Sequence, residues 1–314
     1  MASKKLAVLV GCNYANSGHD LQGCINDVVS IQEILVQSFG FEPKNIDLLT
    51  DAADQSNENI PNAVNIKAAL NRMIGQAEPG DVLVFHYSGH GTTTHSKKLG
   101  RVCEAIVPCD FNLIIDVDFR EMVNRVPKGA SFTILADSCF SGGLIAREKE
   151  QIGPHVSIKG DISASQNSSK PRTIPIESIL QHLQSLTQSD TPDIAGYLLE
   201  LFGDDASLKF RLAPPELKRL DSSKPDEGIL LSGCQSNEYS CDMPASVTGG
   251  KPHGAFTYAL MEIFKDFPAG GLSNREVVIK AREGVKAQDI KTQHPCLYCT
   301  DQNADDIFLL GNYN

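Results

Sequence analysis

An α/β sandwich, with a mostly parallel central sheet covered by helices on both faces, is the fold class this 314-residue sequence predicts. Apolar runs of strand length recur through the first half. They alternate with segments of helical period. They are also apolar at nearly every position rather than every second one, as strands buried on both faces must be. The first strand spans residues 6–10, and the first helix spans 25–39, with Ile25, Val28, Val29, Leu35 and Phe39 at helical spacing and Gly40 as its stop. The pattern repeats as a strand at 46–49, a helix at 63–74 and a strand at 82–85. A helix at 118–126 follows, ending before Pro127, and then a strand at 132–136. Residues 155–173 turn to Ser, Gln, Asn, Lys, Gly and Pro without a period, which reads as an exposed linker. Order returns with a helix at 193–202, a strand at 228–232, helices at 255–265 and 276–287, and a last short strand at 308–310. The chain therefore divides into a large region 1–154, a linker with a helical part 155–225, and a small region 226–314 that completes the same sheet.

Composition narrows the function. Hydrophobic residues at 41% and charged residues at 21% are those of a folded globular chain. With 28 basic against 39 acidic residues the net charge is −11, a mean field that repels phosphate backbones, so nucleic acid is not an expected partner. No apolar run approaches the length that spans a bilayer, and Lys4 and Lys5 lead into too short an apolar stretch for a standard secretion signal. A cytoplasmic protein is expected, with the nucleus, or the exterior by a route without a standard signal, as the alternatives. Nine cysteines, an odd number, fit free thiols better than a disulfide framework.

In an open parallel sheet, functional groups gather beyond the carboxyl ends of the strands. The third strand runs into His86-Tyr87-Ser88-Gly89-His90-Gly91, and the fourth into Asp137-Ser138-Cys139-Phe140-Ser141-Gly142-Gly143. A thiolate nucleophile needs a proton acceptor, and His90 is the candidate for Cys139. The amides of Gly91 and Cys139 are candidate donors to a developing oxyanion. Read singly, Cys139 is a small buried hydrophobe and Asp27 a charge at a helix N-terminus. For Cys139 the pairing changes that reading, because His90 precedes it by 49 residues, close to the roughly 50-residue spacing of caspases, although their Gln-Ala-Cys signature is absent.

The same strings, together with Cys24-Ile25-Asn26-Asp27 and Ser141-Gly142-Gly143-Leu144-Ile145, resemble the motifs of plant type II metacaspases over nearly the whole chain. The short linker and residues 104–113 resemble the metacaspase-9 subtype of that family. The resemblance implies a caspase-like fold with a p20-like large and a p10-like small region on one sheet. It implies a cysteine endopeptidase acting after Arg or Lys on proteins and peptides, matured by self-cleavage, with a role in plant cell death or stress proteolysis. By matched positions, Cys139 is the nucleophile and His90 the general acid/base, while Cys24, Asp27, Ser88 and Asp137 line the pocket for the basic residue. Phe140 stands where the family commonly has His. Among the linker cations Lys159, Lys170 and Arg172, Pro171 disfavours cleavage after Lys170, so Arg172 is the expected self-cleavage residue. A monomer, protein inhibitors as further partners, and no membrane partner or cofactor complete the reading.

Calcium is not expected. At the positions matched to the family's calcium cluster stand Cys103 before Glu104, Val117 between Asp116 and Asp118, and Ala146, so hard oxygen ligands are missing. Asp116 and Asp118 then cap a helix. Two rival readings differ in kind. The Cys296-x-x-Cys299 pair, with Cys234 and Cys241, resembles half of a zinc site but lacks a second closely spaced pair, which favours buried thiols. A catalytically silent scaffold that binds partners is the other, and the intact Cys139 and His90 speak against it.

Overall fold

The computed structural model describes residues 3–145, 149–153, 169–187, 193–221, 228–268 and 271–310. Its strands, in chain order, are β1 (Lys5–Gly11), β2 (Ile46–Thr50), β3 (Val82–Ser88), β4 (Gly91–Ser96), β5 (Arg101–Ile106), β6 (Ile114–Ile115), β7 (Ser131–Asp137), β8 (Glu150–Ile152), β9 (Lys170–Pro171), β10 (Ile229–Ser232), β11 (Cys241–Met243), β12 (His253–Gly254) and β13 (Cys296–Tyr298). The helices are α1 (Cys24–Gln37), α2 (Ala63–Gln76), α3 (Asp116–Val123), α4 (Ile176–Leu186), α5 (Ile194–Phe202), α6 (Leu208–Arg211), α7 (Pro214–Asp221), α8 (Ala245–Thr248), α9 (Ala255–Asp266), α10 (Asn274–Ala287) and α11 (Asp301–Asp305).

The central sheet runs β2-β1-β3-β7-β10-β13-β8. The five strands from β2 to β10 pair in parallel, and β13 and β8 close one edge antiparallel. Both faces are buried, and alternate residues of each strand serve opposite layers. Val8, Val10, Leu83 and Phe85 pack with Ile66 and Leu70 of α2 and Phe119 and Met122 of α3. Ala7, Leu9, Val82 and Val84 pack with Val28 and Leu35 of α1, Phe256 of α9 and Val278 of α10. Such a sheet reads as an unbroken apolar run, which is why β1, β3 and β7 were visible in the sequence. Among the described residues, no helix is long and apolar enough to cross a membrane, and all nine cysteines are free thiols.

Three expectations need correction. Residues 308–310 are not a strand: Ile307 makes one bridge to Ser273, Leu309 has φ 52°, and Phe308 is buried against Phe39 and Phe264. A short apolar run cannot by itself distinguish a strand from a buried turn. The last strand is β13, drawn from the Cys296–Cys299 stretch. Helix α3 begins two residues earlier than expected, because Asp118 reaches back to accept the Ile115 amide at 2.8 Å, and it ends at Val123. The end of the supposed exposed linker is exposed only in part: Lys170 and Pro171 are exposed, but Arg172 is completely buried, and α4 follows it. Lys159 lies outside the described residues.

Candidate active site

Parallel register builds the site. Ser88 at the end of β3 stands opposite Asp137 at the end of β7, so the two strands deliver His90 and Cys139 side by side. The start of β4 then passes against the Cys139 backbone so closely that a Cβ on residue 91 would stand 1.8 Å from the Cys139 carbonyl oxygen. Only glycine fits there.

His90 is buried and held from two sides. Its amide donates to the Tyr14 hydroxyl at 2.9 Å, and its Nε2 lies 2.7 Å from the His19 carbonyl oxygen. A carbonyl only accepts, so Nε2 carries the proton. Nδ1 is then the basic nitrogen, and it has no hydrogen-bond partner among the described residues. Burial lowers the His90 pKa to about 4, although the bond to His19 works the other way. Cys139 is likewise buried, with the Ser240 amide 3.2 Å from its Sγ. Burial pushes its thiol far up, against the smaller opposing pull of the Ser240 contact. In this intact chain the pair is therefore neutral. Phe140 adopts φ 53° and turns its ring edge-on to Tyr239, 5.8 Å between centroids.

An extended stretch of the chain itself lies across these groups. Lys170 and Pro171 pair antiparallel with β11, and the Arg172 amide donates to the Ser240 carbonyl at 2.8 Å. The Arg172 carbonyl oxygen accepts from the amides of Gly91 at 3.0 Å and Cys139 at 3.2 Å. Beyond it, the Ile174 amide donates to the Gly91 carbonyl oxygen at 3.3 Å.

The Arg172 side chain turns down into a polar well. Nη2 lies 2.7 Å from Asp27 Oδ2 and 2.9 Å from Asp242 Oδ1, while Nη1 donates to Ser88 Oγ at 2.8 Å and to the Asp137 carbonyl at 3.1 Å. Asp137 Oδ1 is 3.3 Å from Nη1. A buried cation needs partners of this kind, and both terminal nitrogens have them, whereas Nε has no hydrogen-bond partner among the described residues. The partners are themselves anchored. His253 Nδ1 and the Gly254 amide donate to Asp27 Oδ1, each at 3.0 Å; the Gly23 amide reaches Asp242; and Thr257 and Ser240 donate to Asp137. Burial alone would raise the Asp27 carboxyl, but Arg172, His253 and Ser88 outweigh it and hold it below the usual carboxylate range.

The structure thus brings together Cys139, His90, Gly91, Asp27, Ser88, Asp137 and Arg172, with the buried Cys24 thiol beside the Ser88 hydroxyl. Lys170 stays exposed, its Nζ 3.4 Å from the Asp20 carbonyl oxygen. Sequence reasoning missed Asp242. It lies in β11, ten residues past the end of β10, too far along the chain for the rule that led to the ends of β3 and β7. It also missed the His19 carbonyl and the Ser240 backbone, and no side-chain pattern announces a main-chain partner.

The carboxylates considered for calcium are already engaged within the protein. The Arg101 guanidinium binds Asp116 and Asp221, and Glu104 accepts the Gly143 amide. Asp118 caps α3, and Ala146 lies outside the described residues. Among the described residues, no cluster of three His, Cys, Asp or Glu could hold a metal ion.

Residues 5–147 match the model of the metacaspase, peptidase C14 domain. The chain is 49% identical to Metacaspase-9 of Arabidopsis thaliana over 98% of both chains, and 33% identical to its Metacaspase-6 over 97% of this chain and 99% of that one. Among solved structures it resembles protein GSU0716 of Geobacter sulfurreducens, with a TM-score of 0.59 and 18% identity over 96% of this chain and 97% of that one, a likeness of fold.

Proposed function

The chain belongs to the metacaspase family and is a cysteine peptidase, and from that premise we propose that it cuts peptide bonds after Arg or Lys and matures by cutting itself between Arg172 and Thr173. One observation carries this reading. The chain's own Arg172 lies in the cleft as a substrate residue would, its guanidinium among three carboxylates and its carbonyl oxygen on the Gly91 and Cys139 amides. In this mechanism Nδ1 of His90 takes the Cys139 proton and Sγ attacks the Arg172 carbonyl carbon. The two amides hold the oxyanion, and the protonated His90 then releases the Thr173 amine. Water closes the cycle on the thioester.

The neutral Cys139 and His90 of the intact chain fit a precursor that reacts slowly and once. When the Arg172 side chain leaves, water and an incoming substrate replace it, and the burial that now disfavours the thiolate is relieved. Three carboxylates favour a cation over an acidic or neutral side chain, so Asp and Gln are poor substitutes at the cleaved bond. Arg fits the fork of partners around Nη1 and Nη2 better than the single ammonium of Lys. Calcium has no part in this scheme, since Arg101 already neutralises Asp116. We further propose that maturation yields residues 1–172, which contain the large region, and 173–314, which contain the small one, and that the protein is a monomer acting on protein substrates.

The test is an assay with fluorogenic peptides ending in Arg, Lys or Asp, comparing the wild type with Cys139→Ala. Cleavage after Arg and Lys that vanishes in the variant is expected. Cleavage after Asp, or none in either protein, would leave a scaffold or a different pocket as the answer.

A further inference from the structure

The chain is held very differently on the two sides of the Arg172–Thr173 bond. Before it, Lys170 and Pro171 are exposed, and only Arg172 is buried. After it, Ile174 is completely buried and bonded to Gly91, and α4 continues with Ile179 and Leu183 fully buried in the same apolar layer. His182, also on α4, stacks on Phe111 with ring centroids 4.1 Å apart. Breaking the bond removes none of the contacts that follow it. The amine created on Thr173 therefore stays where it forms, beside the carbon whose oxygen rests on the Gly91 and Cys139 amides.

We propose that the processed enzyme carries in the Thr173 amine a tethered acyl acceptor, and that it joins peptides ending in Arg to its own Thr173 in competition with hydrolysis. The inference rests on the reading above, that the chain cleaves after Arg172. The acyl donor is any peptide that has formed a thioester on Cys139 through its terminal Arg. The Thr173 nitrogen attacks the thioester carbon, the C–N bond forms and the C–S bond breaks. The proton passes from nitrogen through His90 Nδ1 to the departing Cys139 sulfur. One peptide bond is broken and one is made, with no oxidant, reductant or water consumed. The step is the reverse of self-cleavage, so the groups that expel this amine also accept it back.

Two properties favour it, the nucleophilicity of a free amine over that of water and its fixed position over other amines. An α-amine ionises near ~8, so an appreciable share is unprotonated at neutral pH. Tethering holds it at an effective concentration on the order of millimolar or above, already placed at the leaving-group position. Soluble peptide amines share the first advantage but lack the second.

The test uses the processed full-length enzyme and a peptide whose terminal Arg is coupled to aminomethylcoumarin. Coumarin release reports acylation of Cys139, and intact mass spectrometry of the 173–314 fragment reports the acceptor. The expected result is a mass gain on that fragment equal to the peptide acyl group, stable to hydroxylamine and located on Thr173 by tandem fragmentation. Coumarin release with no such gain, or with a gain confined to the 1–172 fragment that carries Cys139, would overturn the proposal. No coumarin release at all would instead overturn the cleavage reading beneath it, so the two failures are distinct.

Discussion

The Cys139 amide donates to the carbonyl oxygen of Arg172 at 3.2 Å, so the candidate nucleophile grips the same residue whose bond it is placed to cut. From this relationship self-processing should be intramolecular. The wild type should yield fragments 1–172 and 173–314 at a rate independent of protein concentration, while Arg172→Ala and Cys139→Ala stay whole. Fragment masses after serial dilution check this. A rate that rises with concentration would show that one molecule cuts another.

Asp242 shares Nη2 of Arg172 with Asp27 and lies almost fully buried. Removing one partner of a buried cation costs several kcal/mol, so Asp242→Asn should lower kcat/KM for Arg peptides by about 10²-fold. Peptides with citrulline in place of Arg, which carry no charge, should change far less. Equal losses for both would mean that Asp242 supports the loop rather than the charge.

Gly254 closes the pocket floor, and a Cβ on it would stand 2.3 Å from both Arg172 Nη1 and Asp137 Oδ2. Gly254→Ala should therefore reject the broad guanidinium more strongly than the slim ammonium of Lys. The ratio of kcat/KM for Arg over Lys peptides should fall, with the Lys rate retained in part. A rise in that ratio would contradict the packing described.

The buried His90 sets a pH dependence in the uncut chain. Its folded pKa is about 4, against an ordinary value of 6.5. Below 6.5 the unfolded chain binds a proton that the folded one refuses, so stability is full above 6.5 and is lost as pH falls from 6.5 toward 4. The loss amounts to about 3 kcal/mol. Urea midpoints of the Cys139→Ala protein, which cannot process, should fall between pH 7 and pH 4.5. The double variant that adds His90→Gln should fall by less. Parallel curves for the two proteins would refute the assignment.

Arg101 bridges Asp116 on α3 and Asp221 on α7. With a resident cation on the carboxylate, activity toward Arg peptides should be the same in excess chelator and in millimolar Ca²⁺. Asp116→Ala should lower the melting temperature, because Arg101 then loses one of its partners, without creating a response to calcium. A calcium requirement that Asp116→Ala abolishes would show a working metal site.

The sequence by itself determined the layered α/β architecture and the two ends where chemistry gathers. Strands such as β1, β3 and β7 are apolar on both faces, and that pattern survives any detail of packing. His90 and Cys139 follow such strands directly, so their positions are local properties of the chain. Asp27, Ser88 and Asp137 were legible as one pocket only through their match to the family's motifs, not from periodicity or composition. Tertiary structure alone decided the rest. That Asp242, 105 residues beyond Asp137, faces the same guanidinium depends on β10 lying next to β7 and β11 folding back over the sheet. That His19 orients His90 depends on a main-chain oxygen, which every residue has. The largest departure is Arg172, which composition placed in an exposed linker. Its neighbours are polar and without a period, as linker residues are. A residue whose guanidinium finds three carboxylates and whose carbonyl oxygen finds two backbone donors is held by electrostatics and main-chain bonds, and neither leaves a hydrophobic trace in the sequence.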